Sequence, residues 1–221
     1  MQEKREVSRE NSKKLINKAK IKGRVAKELE FDHQLHGEKF YVTQIAVRRK
    51  NRVEDMIPVI FSEGLSKSLS EKITEKMVEI EGDIRTYNNQ NKNANRHLKL
   101  YLFANKVVFK EDCDDDNNNE IFLQGYLCKT PIYRRTGQSK RKITNLLIAV
   151  NRGDGKSSYI PCIAWGENAI RTGIMKIGDC IELKGRFQSR TYFKKNSSNQ
   201  EDGEVKETYE ISISDIDLVE E

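Results

Sequence analysis

The sequence is poor in the residues that build metal centres, membrane spans and secretion signals. Its 221 residues include 3 histidines, 3 prolines and 1 tryptophan. No apolar run approaches the ~18 residues that a membrane helix needs, and the N-terminal segment has no apolar signal-peptide core. We therefore expect a cytoplasmic protein that makes no contact with a membrane.

The cysteines and histidines lack the spacing of metal or disulfide sites. Cys113, Cys128, Cys162 and Cys180 show no C-x-x-C pair, so we expect free thiols in a reducing compartment. His33, His36 and His97 are too few and too scattered for a zinc site, and we expect them to be solvated loop residues. The sequence thus predicts no metal and no cofactor.

No set of residues typical of catalysis is present either. The stretch "GDGKSS" has Val150 where a phosphate-binding loop needs its first glycine. A calcium-binding EF-hand loop that began at Asp112, in the acidic stretch "KEDCDDDNNNE", would need Gly at Asn117 and Glu at Leu123. We therefore expect that the protein is not an enzyme.

Positive charge is what the chain has in excess. It contains 40 Lys and Arg against 34 Asp and Glu, which gives a formal net charge of +6. Basic side chains near a polyphosphate gain affinity by releasing its counterions. The charge balance is compatible with an anionic partner, but it does not identify one.

The chain contains an internal repeat. At an offset of 103 positions, "IAVRRK" matches "IAVNRG", "IPVIF" matches "IPCIA", and "VEIEGDI" matches "IELKGRF". Upstream the offset is 102, and before the last strand of the second copy there is an insertion of eight residues. Insertions of this kind are tolerated in loops, so the pattern indicates two copies of one fold.

Each copy alternates apolar and polar residues with period two, which indicates strands. In the second copy the strands are predicted near 120–128, 143–151, 158–165, 180–188 and 208–214, with a short helix between the third and the fourth. This order predicts an all-β protein of two tandem OB-folds, which are five-stranded Greek-key barrels. Mid-strand Gly82 and Gly185 supply the bends that such barrels require.

We divide the chain into four segments on this basis. They are a basic N-terminal arm at 1–18, a first OB-fold domain at 19–110, an acidic linker at 111–119 and a second OB-fold domain at 120–221.

Basic residues cluster in two stretches of the second copy. Arg134, Arg135, Lys140, Arg141 and Lys142 lie in the first hairpin loop, with no acidic residue among them. The fourth strand and the loop after it interleave Arg186, Arg190, Lys194 and Lys195 with Phe187, Tyr192 and Phe193. Phosphate-neutralising cations beside aromatic faces are the two components of single-strand binding. Phe187 could equally pack in the core, since it is in phase with Gly185.

The second copy resembles the bacterial single-stranded-DNA-binding protein family over about 120–219. The residues that carry the resemblance are "LQGYLCKTPIYRRTGQSKRKITNLLIAVNR", "YIPCIAWGENA", "IGDCIELKGRFQSRTY" and "YEISISDIDLV". By matching position, the resemblance implies that Tyr159, Trp165 and Tyr192 stack on bases. It also implies that Arg134 and Arg152 occupy positions that are often basic.

The same resemblance implies an assembly of four OB domains, which for a two-domain chain is a homodimer. The family's acidic tail ending in Pro-Phe has no counterpart after "DIDLVEE", so we expect any replication or recombination partners to bind elsewhere.

The first copy keeps the core pattern but not the stacking residues. Met56, Ser62 and Asn89 stand where the second copy has Tyr159, Trp165 and Tyr192. It retains a weaker candidate set of Arg48, Arg49, Lys50, Arg52 and Tyr87. Either its strands follow a different path, or it serves mainly for dimerisation and charge; we favour the second interpretation.

The sequence therefore predicts binding and protection of single-stranded DNA during replication, recombination or repair, with little dependence on base sequence. One alternative is a replication-restart or recombination accessory that acts mainly through protein contacts. Another is an RNA-binding OB protein, which would prefer RNA at matched length and salt.

Overall fold

The computed structural model of the chain describes residues 16–67, 73–88, 98–111, 118–137, 139–152, 154–196 and 199–219. Side chains at 88, 98 and 192–206 lie outside this description, as do all atoms of the N-terminal arm before residue 16 and most of the predicted linker. Within the described part, no helix is long and apolar enough to cross a membrane.

The first half of the chain closes into a barrel. Its elements are β1 (Asn17–Val25), β2 (Glu30–Leu35), β3 (Glu38–Arg48), β4 (Glu54–Ser62), α1 (Glu63–Lys67), β5 (Met77–Asn88) and β6 (Leu98–Lys110). Strand β1 pairs with both β3 and β5, and the parallel β4–β6 pair completes the ring. Five strands are thus closed on themselves, with β2 added as a hairpin on β3.

The second half repeats this order and these pairings. Its elements are β7 (Asn119–Leu127), β8 (Ile132–Arg135), β9 (Lys142–Asn151), β10 (Ser157–Trp165), α2 (Gly166–Gly173), β11 (Cys180–Asn196) and β12 (Asn199–Leu218). Ring closure through β7–β9 uses Tyr126↔Ala149, the counterpart of Arg24↔Ala46 in the first half. The predicted all-β class with two tandem OB-folds is confirmed.

Two details of the strand prediction were wrong. Strands β11 and β12 extend well beyond the predicted ends and pair as far as Asn196↔Asn199, so the predicted fourth loop is mostly a long hairpin. The first hairpin loop of the second copy contains β8, a short strand paired with β9. In β8 all four side chains are exposed, so the strand has no apolar face whose alternation would indicate it.

Gly82 and Gly185 mark equivalent bulges in the two barrels. The register of β5 against β6 shifts between Glu81 and Gly82, and that of β11 against β12 shifts between Lys184 and Gly185. A Cβ on Gly185 would lie 2.5 Å from the carbonyl oxygen of Ser212. Only glycine admits this close backbone approach, and the bulge bends the strand around the barrel.

The two barrels are joined by a strand pair. Strands β1 and β7 run antiparallel, with Ala19 opposite Ile121, Lys18 opposite Phe122 and Lys20 opposite Glu120. Since Ile121 is the repeat equivalent of Ala19, this pair lies on an approximate two-fold axis that relates the barrels. The twelve strands of the described residues therefore form one connected sheet.

One hydrophobic cluster runs through both barrels. It includes Ile21 and Ile80 of the first barrel and Ile121, Leu183 and Phe187 of the second. Phe187 is fully buried, which assigns it to the core rather than to a surface site. Ala19 and Ile121 of the joining strand pair belong to the same cluster, so the contact between barrels is apolar on its inner side.

We expect Gly185→Ala to lower the free energy of unfolding by about 1–3 kcal/mol, because the added methyl overlaps a carbonyl within the ladder. Gly64→Ala is the matched control: Gly64 lies in α1, and a Cβ added there would meet no atom within 4 Å. That change should alter stability by less than about 1 kcal/mol. Urea unfolding of both variants measures the difference, and equal midpoints would contradict the close approach.

Candidate nucleic-acid interface

Trp165 lies at the edge of a surface recess. The recess has a volume of about 520 Å³ and is lined by Arg141, Lys142, Trp165, Gly166 and Glu167. Trp165 pairs in register with Ile143, which brings the cations of the neighbouring strand beside the indole. The side chain is 39 % exposed, so one aromatic face is available beside two positive charges.

Tyr159 shares a face of β10 with Trp165. Alternate residues of a strand point to one side, and here Ile160, Cys162 and Ala164 point into the core. Tyr159 is 48 % exposed at the opposite end of the strand from Trp165. Six residues of strand separate the two positions by roughly 20 Å, so they would contact different bases of one strand.

The β8–β9 hairpin presents the predicted basic cluster. Arg134 and Arg135 lie on β8, Lys142 begins β9, and Arg134, Arg135, Lys140 and Arg141 are exposed. Among the described residues, none of the five cations lies within ion-pair distance of a carboxylate. Their charges are therefore available to an external anion.

Thr136 closes the tip of this hairpin. Its backbone N–H donates to the carbonyl of Arg141 (2.9 Å), and its hydroxyl accepts from the Arg141 N–H (3.0 Å). Lys140 adopts a positive φ of 48° to complete the turn. These bonds fix the backbone beneath the cations, so the long side chains project from an ordered base.

The second predicted cluster, the basic and aromatic residues of β11, lies only partly within the described atoms. Arg186 and Arg190 are exposed on β11, and Arg190 Nε lies 3.9 Å from Glu210 Oε1. Burial, with the nearby Arg49 cation, lowers the pKa of Arg186. The side chains of Tyr192, Phe193, Lys194 and Lys195 lie outside the described atoms, although their backbone belongs to β11.

Arg152 lies between the two barrels. Its guanidinium pairs with Asp154, and this pairing raises the pKa of Arg152 and lowers that of Asp154. The same guanidinium lies 6.0 Å from the ring centroid of Tyr87 in the first barrel. A candidate cation of one barrel therefore meets a candidate aromatic of the other.

The first-barrel cations are not equivalent. Arg48 and Arg52 are exposed, whereas Arg49 is bound to Asp55, a fully buried carboxylate. Arg49 Nε donates to Asp55 Oδ2 (2.6 Å), and the hydrogen bond to Asp55 raises the pKa of Arg49. Arg49 therefore has a structural partner, which its place in a basic run did not indicate.

Reciprocal hydrogen bonds connect the barrels on either side of the two-fold axis. The Met56 N–H donates to Ser189 Oγ (3.1 Å), and the Tyr159 N–H donates to Thr86 Oγ1 (2.9 Å). Met56 and Tyr159 are repeat equivalents, and so are Thr86 and Ser189. On one side only, Asp55 also accepts from the Ser189 N–H (2.9 Å).

An aromatic cluster on the first barrel was missed in the sequence. The prediction of His33 as a loop residue was wrong: it lies in β2 and stacks on Phe40, with centroids 4.8 Å apart and planes 15° apart. Tyr87 packs against His33 (5.8 Å) and Tyr101 (6.1 Å). Burial, with Asp32 and Tyr87 nearby, raises the pKa of Tyr101 to about 12. The runs "KFYV" and "LYLF" could have indicated the cluster.

We expect Asp55→Asn to lower the free energy of unfolding by about 2–4 kcal/mol, because it leaves Arg49 without its buried counter-charge. Asp154→Asn removes the partner of Arg152, whose side chain is 12 % exposed; because Asp154 is itself 45 % exposed, water can replace its carboxylate, and the loss should be about 1 kcal/mol. Thermal unfolding of the two variants tests the contrast. Equal small losses would show that the Asp55 contact does not hold the barrels together.

Comparison with known proteins agrees with this architecture. The sequence model of the single-strand binding protein family matches residues 118–219. No curated protein matches the chain. The wild-type single-stranded DNA binding protein from Thermus aquaticus is similar in structure, with a TM-score of 0.74 at 14% sequence identity, covering 94% of this chain and 95% of that one.

Two further solved structures align with the chain. A deletion mutant of the Thermus aquaticus protein aligns with a TM-score of 0.69 at 15% identity, covering 94% of this chain and 96% of that chain. The N-terminal domain of PriB protein from Thermoanaerobacter tencongensis shares 30% identity over 43% of this chain and 98% of its own, but its TM-score of 0.37 is too low for a structural inference. The family match confirms the resemblance of the second copy to this family.

Proposed function

We propose that the chain binds single-stranded DNA and protects it during replication, recombination or repair, because residues 118–219 match the sequence model of the single-strand binding protein family. The observation that carries the proposal is the pairing of exposed aromatic faces with exposed cations on one side of the second barrel. Trp165 with Arg141 and Lys142 is the clearest instance.

Bases and phosphates would be bound by different groups. An unpaired base stacks on Trp165 or Tyr159, which contributes ~1–3 kcal/mol per base whatever the base identity. The β8–β9 hairpin cations, with Arg186 and Arg190, neutralise phosphates. Duplex DNA keeps its bases stacked inside the helix, so a surface that depends on free base faces selects single strands.

The proposal also covers the division of the chain into an N-terminal arm, two OB domains and a linker, the long β11–β12 hairpin, and the assembly. We assign residues 19–110 and 120–221 to the two OB domains, and Tyr192, Phe193, Lys194 and Lys195 on the hairpin to the DNA-binding surface. Two chains would pair as a homodimer with four OB domains, bound to exposed single strands in the nucleoid. The number of OB-folds in this chain supports that assembly.

Titration with poly-dT should quench the fluorescence of Trp165, the only tryptophan of the chain. Tyr159→Ala should weaken binding of a labelled dT oligonucleotide by about 5- to 150-fold, because one stacking contact is lost. Ile177→Ala, at a 62 % exposed apolar position of the same barrel, is the matched control and should bind normally. Fluorescence anisotropy measures both affinities.

Parallel titrations with duplex DNA and poly-U define the ligand class. The proposal would be overturned if Trp165 fluorescence did not change during the titration and the chain showed no affinity for poly-dT. Tighter binding of poly-U at matched length and salt would replace DNA with RNA as the ligand.

The double variant Arg134→Gln/Arg135→Gln should flatten the salt dependence of binding. Each lost phosphate contact to a single strand reduces the slope of log K against log salt by about 0.7, so two contacts reduce it by about 1.4. Arg171→Gln is the control, since Arg171 pairs with Asp217 (2.8 Å) on α2. Identical slopes for the double variant and the wild type would remove the hairpin from the DNA-binding surface.

A further inference from the structure

We infer that the first barrel has a base-stacking surface of its own, formed by Tyr87 and His33, that continues the Tyr159 surface across the contact between the barrels. This inference rests on the proposed binding of single-stranded DNA. Met56 and Ser62 stand at the positions that the repeat would assign to stacking residues, and the inference places stacking elsewhere on the first barrel. The first barrel thereby becomes part of the path of the bound DNA.

The contact between barrels brings the two surfaces together. The Tyr159 N–H donates to Thr86 Oγ1, so the residue next to Tyr87 in β5 touches the start of β10. From the other side, Arg152 approaches the Tyr87 ring to 6.0 Å. The second barrel thus contacts two neighbouring residues of β5, Thr86 through the Tyr159 backbone and Tyr87 through the Arg152 guanidinium.

A β-bulge places His33 on this side of the first barrel. Phe31 pairs with Tyr41 and His33 pairs with Phe40, so the register shifts at Asp32. Paired residues share a face, and neighbours along β3 point to opposite faces. The bulge therefore turns His33 onto Phe40 and Tyr87, while Phe31 packs edge-on against Tyr41 on the other face.

Buried rings support the half-exposed ones. Phe40 and Tyr101 are 7 % and 9 % exposed, whereas His33 and Tyr87 retain intermediate exposure. Phe103 lies 5.7 Å from Phe40, with the Arg85 guanidinium 3.7 Å from its centroid. Rings held by a packed layer lose little conformational entropy when a base stacks on them, which favours binding.

Arg152 is the cation at this joint. Its side chain is 12 % exposed and that of its partner Asp154 is 45 % exposed, so a phosphate would reach the guanidinium from the side of Asp154. A phosphate of the bound strand can exchange with the carboxylate, while the guanidinium stays near the Tyr87 ring. The charge at the joint is thereby available to a strand that passes from Tyr159 to Tyr87.

The test uses the full chain and dT oligonucleotides of increasing length. We expect the double variant His33→Ala/Tyr87→Ala to bind short oligonucleotides normally and to lose at least fivefold affinity for long ones, because only long strands reach the first barrel. Phe31→Ala, on the opposite face of the same hairpin, should bind every length as the wild type does. Tyr87→Leu keeps the packing against Tyr101 without the flat ring, and should show the same selective loss for long strands.

Photocrosslinking of the wild-type chain to a long oligonucleotide containing 5-iododeoxyuridine gives an independent readout. Crosslinks at Tyr87 or His33 are the expected result. If long-strand affinity is unchanged in the variants while Trp165 is still quenched, the inference fails and the proposed function stands. If no oligonucleotide quenches Trp165 or binds, the proposed function fails, and the inference falls with it.

Discussion

The pairing of β1 with β7 is the interaction on which the rest of the molecule depends. It converts two closed barrels into one connected sheet and places Ala19 opposite its own repeat equivalent, Ile121. The resulting two-fold relation brings the start of β4 against β11, and in the same way the start of β10 against β5. The bonds from Met56 and Tyr159 to the opposite hydroxyls follow from that relation.

The two sides of the joint have diverged in chemistry although they share a backbone arrangement. One side has the buried Asp55 bound to Arg49 and Ser189, an ionic contact that holds the barrels in place. The other has Ser158 at the position of Asp55, and Arg152 pairs instead with the half-exposed Asp154 and lies 6.0 Å from the Tyr87 ring centroid. The symmetric contact thus contains a buried carboxylate on one side and a half-exposed carboxylate on the other.

Repeat offsets and period-two alternation were sufficient to predict both barrels and the helix after β10, because core residues follow strict local rules. The exposed aromatics Tyr159 and Trp165 were found through the resemblance to a family. The cluster around His33 was not, because a bulge at Asp32 changes which face each residue occupies, and such a bulge has no signal in alternation. Arg49 was predicted to belong to the weaker nucleic-acid-binding set of the first domain, since its partner Asp55 is recognisable only by its burial.

The shared sheet also bears on whether either half could exist alone. Removing the first barrel would uncover the edge of β7 and the apolar side chain of Ile121, and an uncovered edge is a template for another strand. Because the axis passes through the Ala19–Ile121 pair, a second β7 could occupy the place of β1 in the same register. A chain consisting only of the second half would therefore tend to dimerise through β7. The duplication makes that interface between subunits an interface within one chain.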